Sequence, residues 1–228
     1  HEFRSPLTGI RQLGEMLMRG RVPNEARRQE YYERITRESD RLARLVENLL
    51  DFARMEEGRR DYRFEPLDAV SWLRQAVADF ESQRADSRVT VVAAIPDTLP
   101  PVVGDREALT CAVDNLLDNA IKYSPGCETI WLQAEASNSH MTISVRDEGV
   151  GIDDGDRKRV FDRFYRGHGD ITRAVKGAGL GLSLVRHIIH AHGGKVWCES
   201  RPGAGTTFII CLRSGDRVIG PADRRSEV

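Results

Sequence analysis

The chain has no surplus of charge. Its 34 Lys and Arg stand against 35 Asp and Glu, a formal net charge of -1, so no global field favours nucleic acid or an acidic membrane surface. Paired cysteines are missing as well. Cys111, Cys127, Cys198 and Cys211 are scattered without a CxxC spacing, which argues against a zinc site and a disulfide framework and makes reduced thiols in a cytosolic compartment the simplest reading. No apolar run approaches the ~20 residues of a membrane span, and no signal peptide is present. Position 1 is His rather than Met, so the sequence is read as part of a longer chain, with anchoring or sensing segments expected upstream.

What is there reads as two domains within 228 residues. Phe3, Leu7, Ile10, Leu13 and Leu17 recur at helical spacing and predict a helix to about residue 19, with Pro6 tolerable near its start. Asn24 is a candidate N-cap for a second helix, and Gly58 its stop. Ile35, Leu42, Leu45, Leu49 and Phe52 follow heptad spacing there, while Arg, Glu and Asp crowd the other faces. About 33 residues span roughly 50 Å. Two such helices are too thin to bury their own apolar stripe, so a homodimer forming a four-helix bundle is expected.

Past Gly58 the texture changes. Tyr62 and Phe64 alternate as in a short strand that Pro66 ends, and Asp68 caps a helix carrying Val70, Leu73, Val77 and Phe80. Strands are predicted at 89–95, 102–103, 128–136 and 140–147, with a helix capped by Asp105 among them. A short helix near 156–165, a helix over 180–191 and a hairpin at 195–200 and 206–212 follow. From Ser214 the polar tail reads as disordered. Strands interleaved with helices, yet paired like hairpins, predict an α/β sandwich with helices on one face of a mixed sheet.

Chemistry concentrates first in 114–124. Leu109, Ala112, Val113, Leu116, Leu117 and Ala120 make one apolar stripe, whereas Asn115 and Asn119, four apart, share another face ahead of Lys122 and Tyr123. Asn offers a neutral oxygen for a hard cation, Lys a point charge for phosphate and Tyr a flat ring for a base. Alone, this could equally be a solvated helix face. Asp147-Glu148-Gly149-Val150-Gly151 leaves a strand, and an ionised Asp there suits the amine of adenine, although a plain turn is the commoner meaning. Gly177-Ala178-Gly179-Leu180-Gly181-Leu182 precedes a helix whose amides can cradle phosphate. A Rossmann reading fails because no parallel βαβ unit or ribose-binding acid follows. Gly203-Ala204-Gly205-Thr206-Thr207 alone is a hairpin turn, and Phe161 and Phe164 alone are core anchors.

In this order the segments resemble the catalytic ATP-binding domain of bacterial two-component sensor histidine kinases, within the GHKL superfamily. Residues 114–124 resemble its N box, 147–151 its G1 box, 161–166 its F box, 177–182 its G2 box and 203–207 its G3 segment. His1-Glu2-Phe3-Arg4-Ser5-Pro6-Leu7 resembles the H box of the dimerisation and phosphotransfer domain. The resemblance covers residues 1 to about 213. It implies an α+β chain: a helical hairpin over 1–60 that pairs into a four-helix bundle, then a GHKL (Bergerat) sandwich over 61–213, with 214–228 as a tail.

Carried over residue by residue, the resemblance makes His1 the phosphoryl acceptor, with Glu2 orienting its ring. Asn119 becomes the Mg2+ ligand, Asn115 its partner near the phosphates, Lys122 a phosphate contact and Tyr123 a neighbour of the base. Asp147 would accept the adenine amine, with Gly149 and Gly151 making room and Ile152 and Thr206 beside them. Residues from about Asp153 to Ala178 would form a lid over ATP, with Gly177, Gly179 and Gly181 at its closing edge, and Phe164, Leu180 and Leu182 would be further nucleotide-binding residues. Arg163 and Arg166 remain open between a γ-phosphate contact and an exposed structural role. The partners implied are a second copy and the receiver domain of a response regulator, with no nucleic acid and no membrane contact within this segment. The resemblance places the segment in the cytoplasm and the full-length protein in the bacterial inner membrane.

Two rivals are weighed against it. ATP-hydrolysing relatives of the gyrase, mismatch-repair and heat-shock branches place a Glu four residues before the metal-binding Asn. Here that place holds Asn115. A pseudokinase scaffold would show gaps in the nucleotide motifs, and none is found. Kinases of this type that are also phosphatases carry Glu-x-x-Thr or Glu-x-x-Asn after the His. Here Glu2-Phe3-Arg4-Ser5 stands instead, so a weak phosphatase using Ser5 is expected.

Overall fold

The computed structural model describes residues 4–20, 22–56, 61–84, 89–137, 139–167 and 179–215, the side chains of 5, 40, 41, 44, 45 and 47–56 excepted. Its packing divides into two compact units at Arg60 and Asp61.

The first unit is two packed helices, α1 (Arg4–Met18) and α2 (Glu25–Glu56). Pro6 falls in the first turn of α1, where its missing N–H costs nothing. Gly20, at φ 61°, turns the chain out of α1. Asn24 Oδ1 accepts the Arg27 N–H at 2.9 Å and so caps α2. The helices cover little of each other. Leu7, Met18, Tyr32 and Val46 are exposed, Ile10, Leu13, Leu17, Ile35 and Leu42 are half-buried, and Pro6 alone among the described side chains of this unit is buried. The predicted His1, Glu2 and Gly58 lie outside the described residues, as does the side chain of Ser5.

The second unit is built on a mixed five-stranded sheet. Its strands are β2 (Thr90–Ala94), β4 (Thr129–Ser137), β5 (His140–Arg146), β6 (Lys195–Ser200) and β7 (Thr206–Arg213), in the order β2-β4-β5-β7-β6. Only β2 and β4 run parallel. Strand alternation fixes the faces. Leu132 pairs with Val145 and Val145 with Phe208, all buried, and they pack with α3 (Ala69–Ser82), α4 (Arg106–Tyr123) and α5 (Gly181–Ala191). The next row, Trp131, Arg146, Thr207 and Glu199, faces the other way. Helices on one face of a mixed sheet is the expected sandwich. Asp68 Oδ1 caps α3 through the Val70 and Ser71 amides, both at 3.0 Å, and Asp105 Oδ1 caps α4 through Ala108 N at 3.0 Å. Trp72 Nε1 donates to Thr110 Oγ1 at 2.9 Å and fastens α3 to α4.

Three local expectations change. The strand expected at Tyr62 and Phe64 lies instead at β1 (Glu65–Leu67), with Pro66 inside it. Among the described residues β1 pairs only with β3 (Val102–Gly104), and an edge position tolerates a missing N–H. The helix expected over 156–165 shrinks to one 3-10 turn, Arg159–Phe161. The tail does not loosen at Ser214: Ser214 N donates to Ser139 O and Gly215 N to Pro101 O, each at 3.0 Å. The rest of the predicted tail, 216–228, lies outside the described residues.

One charge sits badly in this core. Asp114 Oδ1 on α4 is buried without a hydrogen bond. Burial first, then repulsion from Asp118, raises its pKa from the ordinary 3.8 to about 6, against the opposing pull of Arg84, which bridges Asp118 and stacks 3.8 Å over the Phe80 ring; Asp79 adds further repulsion. The folded chain thus holds this proton more tightly than the unfolded one. Its contribution to stability is full below the ordinary value of 3.8, is lost as pH rises through about 6, and leaves a constant penalty above. We predict that Asp114→Asn stabilises the second unit by about 1–3 kcal/mol near pH 7.5 and by almost nothing near pH 4. Urea unfolding of parent and variant at both pH values checks this, and an equal difference at the two would contradict it.

Candidate functional site

Three chain segments meet where α4 ends. After β5 the chain passes Asp147, only 3% exposed, whose Oδ1 accepts from Gly149 N at 2.8 Å and Thr206 N at 3.2 Å. Burial pushes this carboxyl up, while the Gly149 amide, the Ser124 hydroxyl and the Thr206 amide pull it down. Ser124 Oγ is itself buried beside this carboxyl, without a hydrogen bond of good geometry. Both bonds to Asp147 converge on Oδ1, which leaves Oδ2 able to accept a ligand's amine.

The glycines around Asp147 serve the backbone before they serve any ligand. A Cβ on Gly149 would run into Tyr123 O and stand 2.6 Å from Ser124 Oγ. One on Gly151, at φ 71°, would strike Arg201 O, and one on Gly205, at φ 80°, would strike Asp147 O. The close approach is used. Val150 N donates to Tyr123 O at 3.1 Å, Gly203 N to Val150 O at 2.8 Å and Gly205 N to Gly149 O at 3.0 Å. The expectation that Gly149 and Gly151 make room for a ligand is thereby revised: they make room for the chain itself. Ser200, which sequence reasoning missed, completes the lock. Its Oγ accepts from Ile152 N at 2.8 Å, donates to Gly205 O at 2.7 Å and lies 3.0 Å from Thr206 Oγ1. Its one sequence cue is its place at a strand end just before a glycine turn.

The second half of the site is the meeting of α4 and α5. Asn115 Nδ2 donates to Cys111 O at 2.8 Å, and its Oδ1 faces Gly181, where a Cβ would stand only 2.7 Å away. Leu180, the N-cap of α5, supplies no side-chain cap. The first amides of α5 are therefore left for an anion, which the helix dipole also favours. Asn119 is half-buried with no side-chain hydrogen bond among the described residues, Lys122 is exposed and Tyr123 is half-buried. A free carboxamide, a nearby lysine and an uncapped helix start fit Mg2+ and phosphate. Leu180 is buried and Leu182 half-buried at the same helix start.

The aromatic pair divides. Phe161 is buried and meets Phe208 edge to face at 6.1 Å, as a core anchor should. Phe164 is 66% exposed and holds φ 57°, a left-handed conformation unusual outside glycine, with its N–H on Gly179 O at 3.1 Å. It is therefore no core anchor. Arg163 and Arg166 are exposed. The expected Gly177 lies outside the described residues. All four cysteines are free, and burial pushes the Cys198 thiol up to about 11, so it is no nucleophile.

Comparison with known proteins bears on both units. Residues 1–58 match the model of the His Kinase A (phospho-acceptor) domain, and residues 104–216 that of the histidine kinase-, DNA gyrase B-, and HSP90-like ATPase. Sensor histidine kinase WalK of Bacillus subtilis is 35% identical over 216 residues, 93% of this chain and 35% of WalK. Alginate biosynthesis sensor protein KinB of Pseudomonas aeruginosa is 35% identical over 214 residues, again 93% of this chain and 35% of KinB. The sensor-like histidine kinase SenX3 of Mycobacterium tuberculosis is 31% identical over 212 residues, 51% of its length. The chain thus spans about a third to a half of the length of these relatives. Among solved structures, Acinetobacter baumannii histidine kinase AdeS superposes with a TM-score of 0.70 at 23% identity, covering 94% of this chain and 98% of its own, a likeness of fold. Full-length ShkA in complex with AMPPNP gives 0.67 at 26% identity, covering 95% and 45%.

The glycine lock predicts a contrast. Gly151→Ala places a Cβ against a backbone carbonyl at positive φ, whereas Gly155→Ala meets nothing within 4 Å. The first is expected to cost about 3 kcal/mol or more and the second less than about 1. Thermal unfolding of the two variants checks it, and equal midpoints would dismiss the lock.

Proposed function

Because this chain belongs to the sensor histidine kinases of two-component systems, we propose that it is the kinase core of a longer sensor: it uses ATP to phosphorylate His1 and passes the phosphoryl group to an Asp of a response regulator. One observation supports this above the rest. The carboxamide helix α4 is pressed through Asn115 and Gly181 against the uncapped start of α5, and a buried Asp147 with a free oxygen closes the other end. A base, a metal-bound triphosphate and a helix dipole find their complements in that order.

In this reading Asp147 Oδ2 accepts the adenine amine, while Gly149 N and Thr206 N hold the carboxylate in its acceptor orientation. Asn119 supplies the oxygen for Mg2+, which when bound offsets charge on the phosphate oxygens. Asn115 is aimed by Cys111, and Lys122 meets phosphate. Tyr123, Ile152 and Phe164 flank the base and sugar, and Gly179, Leu180, Gly181 and Leu182 shape the phosphate end. A neutral ring nitrogen of His1 attacks the γ-phosphorus in line, the bond to the leaving ADP oxygen breaks, and Glu2 takes the proton from the other nitrogen. Arg163 and Arg166 stay open between phosphate contact and surface. The uncovered apolar side chains of α1 and α2 support a homodimer as a four-helix bundle, and Ser5 supports a weak phosphatase toward the regulator.

The test is incubation with γ-labelled ATP, in which this reading expects label on the chain that is stable to base and lost in acid. Asn119→Ala should abolish labelling, since the metal loses its protein oxygen. Asp147→Asn should keep both Oδ1 bonds, and hence the fold, yet present an NH2 where an acceptor is needed. Its affinity for ATP should fall about 10- to 100-fold and its preference over GTP should shrink, the worth of one hydrogen bond to a charged group. Full labelling of the Asn119 variant, or an unchanged ATP preference in the Asp147 variant, would remove the respective assignment.

A further inference from the structure

The C-cap of α5 is a histidine that the nucleotide site does not use. His192 Nδ1 lies 2.7 Å from Ile188 O, and its Nε2 lies 3.0 Å from Asp105 N. A carbonyl can only accept and a backbone amide can only donate, so the ring must be neutral with its hydrogen on Nδ1. Asp105 is no ordinary neighbour. Besides donating to His192, it caps α4 with Oδ1 and takes the Arg63 N–H on Oδ2 at 3.0 Å. Tyr62 and Phe64 enclose the imidazole, with ring centroids at 5.2 and 4.9 Å. Gly104 lets the ring in: a Cβ there would stand 2.9 Å from His192 Cδ2. One imidazole thus joins the segment 62–64, the start of α4 and the end of α5.

We propose that His192 is a positioning residue for the nucleotide site, which as a neutral Nδ1–H ring holds α4, α5 and the segment 62–64 in register, and which releases that segment on protonation. This deepens the kinase reading, since α4 and α5 carry Asn115, Asn119 and Gly181. Protonation sets an Nε2–H against the Asp105 N–H across 3.0 Å, and two donors at that distance must part. As they part, Asp105 turns, and the Arg63 amide loses its acceptor. Among the described contacts of the ring, the titratable groups are Asp105, the N-cap of α4, and Tyr62 on the segment; Arg63 is bonded to Asp105, α5 itself carries His187 and His190, and β3, which supplies Gly104, carries none.

The experiment is nitrogen-edited NMR of the chain between about pH 5 and 8, with hydrogen exchange of the amides expressed as protection over intrinsic rates. Expected are the Nδ1–H tautomer at the alkaline end and, as His192 titrates, a loss of protection of about tenfold or more at Arg63 and Asp105, with Met141 and Ile143 in β5 unmoved. His192→Gln should make both profiles flat, and the affinity for a fluorescent ATP analogue, falling with acid in the parent, should become flat with them. If that variant does not fold, the titration of the parent decides. An Nε2–H tautomer, a ring that stays neutral to about pH 5, or protection at Arg63 unchanged through the titration would each overturn the proposal. Loss of amide protection in a chain that binds no ATP at any pH overturns the kinase reading while supporting the ring's hold on α4, α5 and the segment 62–64.

Discussion

A carboxylate removed from water must be hydrogen-bonded or give up its charge. Asp147 is bonded, and its partners are backbone amides from two different turns, so the loop after β5 and the turn before β7 cannot move independently. The backbone has to come close enough for those amides to arrive, and a Cβ at Gly149, Gly151 or Gly205 would collide with a main-chain or hydroxyl oxygen. The acceptor offered to a base is thus a by-product of a rigid cross-connection. What remains there, Asp147 Oδ2 and the buried Ser124 hydroxyl, lies beside the end of α4, since Ser124 directly follows that helix. A site whose leftover polar atoms point one way is organised for a ligand on that side.

Helix α4 carries two demands that pull against each other. Its apolar face is wholly consumed, with Leu109, Val113, Leu116 and Leu117 at 1% exposure or less, so its polar residues must find places on what is left. Asn115 and Asn119 fall toward α5. Asp114 and Asp118 fall toward α3, where Arg84 can satisfy one of them and reaches the other only through space. The penalty carried by Asp114 follows from having the apolar stripe, the two carboxamides and an acidic pair on one eighteen-residue helix. Local discomfort of this kind is expected beside a functional face, because the face fixes the helix's rotation and the remaining residues must accept it.

Legibility in the sequence followed the range of the contacts. Caps by Asn24, Asp68 and Asp105 are local, depending on an acceptor two or three residues before an amide, and each was readable from residue type and position. The sandwich was readable for a related reason: β5 alternates along its length and β4 over its first half, so the buried face declares itself. Pro66 was misread because its tolerance depends on β1 having β3 as its partner, across 37 or so residues of chain that no local pattern spans. Ser200 was invisible on similar grounds, since its bonds to Ile152 and Thr206 become meaningful only once two loops are brought together. Phe164 shows the limit of residue type alone. Aromatic character suggested a core position, but the left-handed backbone forced by its bond to Gly179 turns the ring outward.

The two units differ in how complete they are. The second buries whole side chains from every one of its long helices and can hold its fold with its own core. The first leaves Leu7, Met18, Tyr32 and Val46 in water and fully buries only Pro6 among its described side chains. Isolated helices gain most of their stability from packing an apolar face, so this hairpin is the weaker structure until something covers it. Every described residue that the kinase reading assigns to nucleotide lies in the second unit, whereas the proposed acceptor, His1, belongs to the first. On the kinase reading, one chain can therefore form the nucleotide site alone, while the proposed acceptor belongs to the unit with the smaller core.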